Sequence, residues 1–106
     1  MINVSKSLPD IAVLRGGKKE FKQSLLEGGE ILASLSQIGH APLDVLISPD
    51  GAWTLQGRPT DAHAIFSRAH TIIDATRGKN EEYHKLAKKM DIPLLFSQGN
   101  TMSLDR

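Results

Sequence analysis

Apolar and polar positions along this chain follow two rhythms. Ile11–Leu14, Leu43–Ser48, Thr71–Ala75 and Pro93–Ser97 are short, largely apolar runs bounded by turn residues, the pattern of buried strands. From about Lys19 to Ile38 the spacing is helical, and Gly39 stops it. Phe21, Leu25, Leu32 and Leu35 recur along this helix and predict its buried face. Gly28-Gly29 interrupts it at a cost of about 1 kcal/mol per residue against alanine, which predicts close contact with a neighbouring element. Pro49-Asp50-Gly51 turns the chain after the second strand, and Ala52–Leu55 returns as a hairpin partner. Thr60 is a good N-cap for a helix to about Ala69, with Asp61 in its first turn. Asn80 caps another helix over Glu81–Met90, and Asn100 or Thr101 starts a last one.

Strands separated by helices require right-handed crossovers and a mainly parallel sheet covered on both faces. The expected fold is therefore a three-layer α/β domain. Its sheet should be mostly parallel, with four core strands and the Ala52–Leu55 hairpin. No internal repeat, linker or low-complexity segment divides the 106 residues, so they read as one domain.

Composition narrows the chemistry. The 13 basic and 12 acidic residues nearly cancel and form no basic block, which argues against a nucleic-acid or membrane-surface partner. Lys85, Lys88 and Lys89 instead fall late in a predicted helix, where they complement its dipole. The absence of cysteine rules out a disulfide framework and a thiolate metal site. No apolar run is long enough to span a bilayer, and residues 1–10 lack the apolar core of a signal peptide. The expected location is the cytoplasm.

Asp10-Ile-Ala-Val-Leu-Arg-Gly-Gly followed by Glu20, Ser24 and Gly28 carries most of the candidate chemistry. A strand that ends in Gly16-Gly17 and opens into a helix lets a small polar ligand approach the backbone, near unpaired helix amides. Glu20 and Ser24 are four residues apart and share a helix face. A carboxylate there would receive an ammonium group and repel a bare phosphate. The alternative is structural: the glycines make a βα turn, and Glu20 favours the helix N-terminus electrostatically. Asp74, at the end of a core strand, has two readings as well, as a loop hydrogen-bonding group or as a group facing the ligand crevice. His40, His63, His70 and His84 show no ligand spacing, so no metal site is expected. Trp53 on the hairpin reads as a packing or dimer-contact residue.

In this order the motifs resemble the N-terminal, pre-ATP-grasp domain of D-alanine–D-alanine ligases, over nearly all of Asp10–Arg106. Ile-Ala-Val-Leu-Arg-Gly-Gly at 11–17 resembles the family's opening strand and turn. Glu20, Ser24 and Gly28 match a Glu-x-x-x-Ser-x-x-x-Gly spacing, with the preceding turn one residue short. The segment from Asp50 through Trp53 to Pro59 resembles the family hairpin, often Asp-Gly-x-Trp-x-Leu-x-Gly. Ile92-Pro93, Ser97 and Met102-Ser103-Leu104-Asp105-Arg106 resemble its closing signature. The chain departs from the family after the third strand. There Arg77 replaces the histidine of Ala-Leu-His-Gly, and the acidic glycine-rich loop is missing.

The resemblance implies an ATP-dependent ligase of peptidoglycan synthesis, with this domain helping to bind the first D-alanine. Glu20 would receive its ammonium, Ser24 would orient Glu20 or a neighbouring loop, and Gly16 and Gly17 would admit the ligand. Arg77 would supply a cation near the carboxylate or reacting phosphate, and Arg106 would approach the ATP phosphates. ATP and Mg²⁺ would be bound mainly outside this stretch, which has no Walker A pattern or acidic metal cluster. On this reading the chain is an excised N-terminal domain, inactive alone, and a possible homodimer. Alternatives are a domain of another ATP-grasp amino-acid ligase, or a non-catalytic binding or dimerisation domain of the same fold.

Overall fold

A computed structural model describes residues 10–77, 81–98 and 101–105. In chain order the elements are β1 (Ile11–Gly16), α1 (Phe21–Gln37), β2 (Leu43–Ile47), β3 (Trp53–Leu55), β4 (Arg58–Thr60), α2 (Ala62–Arg68), β5 (Thr71–Asp74), α3 (Glu81–Lys89), β6 (Leu94–Gln98) and β7 (Thr101–Asp105). The strands form one sheet in the order β4-β3-β2-β1-β5-β6-β7. The α/β class expected from the sequence is observed, but the sheet is mixed rather than mostly parallel. β1 pairs in parallel with β2 and β5, and β5 with β6, while the β2–β3, β3–β4 and β6–β7 pairings are antiparallel. The difference lies at the edges, where strands adjacent in the chain fold directly back on one another instead of crossing through a helix.

Two segments depart from the sequence expectation. Thr101–Asp105, expected to begin a helix, is a strand in register with β6 from Leu94↔Asp105 to Gln98↔Thr101. Five residues alternating polar and apolar satisfy a strand's period of two, whereas one helical turn is too short to establish a stripe. Thr60, expected to cap α2, is instead the last residue of β4, a strand the sequence did not predict. Asp61 takes the cap, its Oδ1 accepting the Ala64 N–H at 2.8 Å. Asn80, Asn100 and Arg106 lie outside the described residues.

The main core forms on one face of the sheet. Ala12, Leu14, Val45, Ile47, Ile72 and Leu94 meet Ile65, Phe66 and Ala69 around α2, and Ala87 of α3. Trp53 packs on this cluster, its ring 6.5 Å from Phe66 and 5.2 Å edge-on from Tyr83. Val13 and Ile73 are buried outside that cluster, and strand alternation puts Val13 and Arg15 together on the other face, which α1 covers.

The contact between α1 and β1 is made by small and polar groups. Ser24, Glu27 and Gly28 are buried, while Phe21, Leu25, Leu32 and Leu35, expected to form the buried face, are only half-buried. A helix lying this close to a strand has room at its centre only for small side chains, so the larger ones flank the contact. The close approach expected at Gly28-Gly29 is present, and Arg15 makes it. A Cβ on Gly28 would sit 2.5 Å from the Arg15 Cβ and 2.7 Å from its Cδ. Arg15 has little freedom to yield. Its guanidinium grips both Asp44 carboxylate oxygens at 2.9 and 2.8 Å and donates to the Leu25 carbonyl at 3.0 Å.

Gly28→Ala therefore sets a helix-propensity gain of about 1 kcal/mol against overpacking of about 1–3 kcal/mol. The expected net effect is a loss of up to about 2 kcal/mol, measured as a lower urea midpoint with an unchanged slope. Gly29→Ala is the control. Its nearest neighbour is the Arg15 Nη1 at 3.4 Å, so it should be neutral or stabilising. Equal destabilisation by both would remove Arg15 as the cause.

Candidate functional site

The parallel strands β1, β2 and β5 all end on the same side of the sheet, and their following loops surround a cleft of about 610 Å³. Gly17, Lys18 and Lys19 come from the first loop, Ser48, Asp50 and Gly51 from the second, and Thr76 and Arg77 from the third. Tyr83 of α3 closes another side. Strand C-termini in open α/β sheets are where ligands bind, because the diverging loops leave a crevice there.

The first loop owes its shape to two glycines. Gly16 and Gly17 have φ of +99° and +89°, and the Gly17 N–H donates to the Ile47 carbonyl at 2.7 Å. The close backbone approach that the glycines permit is thus between β1 and β2. Gly17 lines the cleft, whereas Gly16 is buried at the strand pairing. Glu20 caps α1 in a left-handed conformation (φ 47°, ψ 51°), with its side chain exposed and making no cap hydrogen bond. It stands next to the cleft-lining Lys19 but is not itself part of the wall.

Ser24, a candidate for orienting Glu20 or a loop, is fully buried. Its hydroxyl donates to the Ala75 carbonyl at 2.7 Å and accepts the Gly16 N–H at 2.8 Å. It therefore ties the loop after β1 to the loop after β5. A second tie is the antiparallel bridge between Lys19 and Arg77. The two loops carry most of the cleft's cationic charge, and these contacts hold them as one unit.

Arg77 donates through Nη2 to Glu27 Oε2 at 2.9 Å. Asp74, at the end of β5, accepts the Thr76 N–H at 2.9 Å and also the Thr76 hydroxyl, and its other oxygen lies 3.8 Å from His84 Nε2. The loop-bonding reading of Asp74 is therefore the geometry observed. Asp50 is held below the usual carboxylate range, chiefly by the Ser48 hydroxyl that donates to it and then by backbone N–H groups. Burial pushes the Tyr83 phenol up, so it remains neutral at physiological pH. Lys18, Lys19 and Arg77 thus face a fixed carboxylate and neutral hydroxyl groups. Such a lining suits a small ligand that carries an oxyanion and also has hydrogen-bonding groups.

Sequence reasoning singled out Gly17 and Arg77 among the lining residues but missed Lys18, Lys19, Ser48, Asp50, Thr76 and Tyr83. The strand-end rule applied to Asp74 would have found Ser48 and Asp50, which directly follow β2. Arg106 lies outside the described residues. Among the described residues, no group of three or more His, Asp or Glu side chains could hold a metal ion. Nor, among them, is any helix long and apolar enough to cross a membrane. No known protein family matches the chain, and no curated protein matches it in sequence.

Proposed function

We propose that this chain is a substrate-binding domain of an ATP-dependent amino-acid ligase of the D-alanine–D-alanine type, contributing to the first amino-acid site. The observation that supports this reading most is that Gly17, from the Gly16-Gly17 turn, and Arg77 line one strand-end cleft. In the full reaction one D-alanine carboxylate becomes an acyl phosphate, and the amine of a second attacks it to form the dipeptide. Charge that develops on the acyl phosphate and the tetrahedral intermediate requires preorganised cations and donors. Arg77 would supply one such cation, and Glu20, which follows the cleft-lining Lys19 in the chain, would receive the substrate ammonium. ATP supplies the activating phosphoryl group, and by resemblance it and Mg²⁺ are held mainly outside this domain.

Glu20→Gln in the full-length protein should lower kcat/KM for D-alanine about tenfold to hundredfold, the scale of one charge-assisted hydrogen bond. An unchanged value would remove Glu20 from the site. Arg77 favours a second reading, a non-catalytic binding domain of the same fold. A guanidinium does not exchange protons near neutral pH, as the histidine expected at this position would. Dipeptide synthesis by the full-length protein discriminates between the two, because a binding domain makes none.

A further inference from the structure

Glu27 takes no part in the substrate contacts proposed above, yet it is the most deeply buried carboxylate on α1. Its side chain is 8% exposed, and its ion-pair partner is Arg77, fifty residues further along the chain. Burying a carboxylate is unfavourable unless it is paired, and even a paired one stabilises a fold less than apolar packing would. The geometry of this pair is also not the most stabilising one available. Arginine and a carboxylate can form two parallel hydrogen bonds, but here only Nη2 and Oε2 meet. The atoms that would form the second bond, Arg77 Nε and Glu27 Oε1, are both buried without a hydrogen-bond partner. A single-bonded pair contributes little to stability but fixes where the guanidinium stands, and Arg77 stands in the wall of the cleft.

We propose that Glu27 is a positioning residue for Arg77. Its carboxylate holds one Nη of the guanidinium and leaves the remaining Nη hydrogens for an oxyanion of the ligand, a carboxylate or a phosphoryl group. The inference rests on reading the cleft as a substrate site. An arginine held in this way loses less side-chain freedom on binding than a free one. Glu27 occupies an unspecified position of the Glu-x-x-x-Ser-x-x-x-Gly spacing, so that motif does not account for it.

Two effects of removing Glu27 oppose each other, and two variants separate them. Glu27→Gln keeps the shape and an acceptor oxygen but loses the charge. Glu27→Ala loses the acceptor as well. Binding of D-alanine and of inorganic phosphate to the 106-residue chain is followed by NMR chemical-shift titration. Glu27→Ala should bind the probe about tenfold more weakly than Glu27→Gln, and Glu27→Gln should bind at least as well as the native chain. In an Arg77→Ala background, which leaves neither variant with a buried unpaired charge, the two should bind equally. Equally tighter binding by both variants, with no difference between Gln and Ala, would mean that Glu27 acts only as a repelling charge, and would overturn the proposal. So would a tenfold difference that survives Arg77→Ala, or a native chain that binds neither probe. Binding of phosphate but not D-alanine, with the Gln–Ala difference intact, would keep the role of Glu27 and sink the amino-acid reading.

Discussion

Gly16→Ala should destabilise the domain by about 4 kcal/mol, close to the whole stability of a marginal domain of this size. Two independent costs act at this position. Gly16 has φ +99°, outside the region that alanine tolerates, at about 1–3 kcal/mol. A Cβ there would also collide with the Ile47 carbonyl oxygen, a backbone atom in the middle of the sheet. Overpacking against an atom that cannot rotate away costs about 1–3 kcal/mol more. Moving it would break the β1–β2 pairing at Gly16↔Ile47 and the hydrogen bond from Gly17 to the same carbonyl. Urea denaturation should show a largely unfolded chain or a very low midpoint. A midpoint within about 1 kcal/mol of the native value would mean that the turn is far softer than described.

Ser24→Ala is the second large effect, about 3 kcal/mol, and it arises from polar groups rather than volume. The hydroxyl satisfies the Gly16 N–H and the Ala75 carbonyl together. Its loss orphans two buried backbone groups at about 1–3 kcal/mol each, offset by about 0.5 kcal/mol of helix propensity. The same hydroxyl joins the two loops that carry Lys18, Lys19 and Arg77, so the variant should also speed amide hydrogen exchange around 16–19 and 75–77. A lower midpoint with unchanged exchange in those segments would confine Ser24 to a general packing role.

The chain's legibility tracks how local each determinant is. The strands expected at Ile11–Leu14 and Leu43–Ser48, which run to Gly16 and Ile47, and the helix stopped before Gly39 depend on neighbouring residues and could be read to within two residues. The glycine pair at 28–29 could be read as a close contact, but not as one made by Arg15, because strand pairing and not sequence distance sets that meeting. The leucines of α1 misled because periodicity predicts which residues share a face, not how near that face lies to its neighbour. Thr101–Asp105 misled because five residues cannot distinguish two periods when the partner strand decides. In the cleft, Gly16, Gly17 and Glu20 were visible as a motif, yet only Gly17 of these lines it. Glu27 was not legible at all. An acidic residue on a helix reads as solvated until a partner fifty residues away comes to meet it.

The β3–β4 hairpin turns at Gln56 and Gly57, both with positive φ, so Leu55 and Arg58 form its first, hydrogen-bonded pair. Thr54 and Pro59 are then a non-bonded pair, and the Pro59 nitrogen points outward from the sheet. That orientation explains why proline is tolerated there. It also leaves the outermost row of the sheet without a donor at its centre, beside the exposed Arg58. A chain that tried to extend the sheet past β4 would find neither a continuous ladder nor an uncharged rim, which is how folded proteins discourage uncontrolled strand addition. Self-association through this domain would have to use another surface.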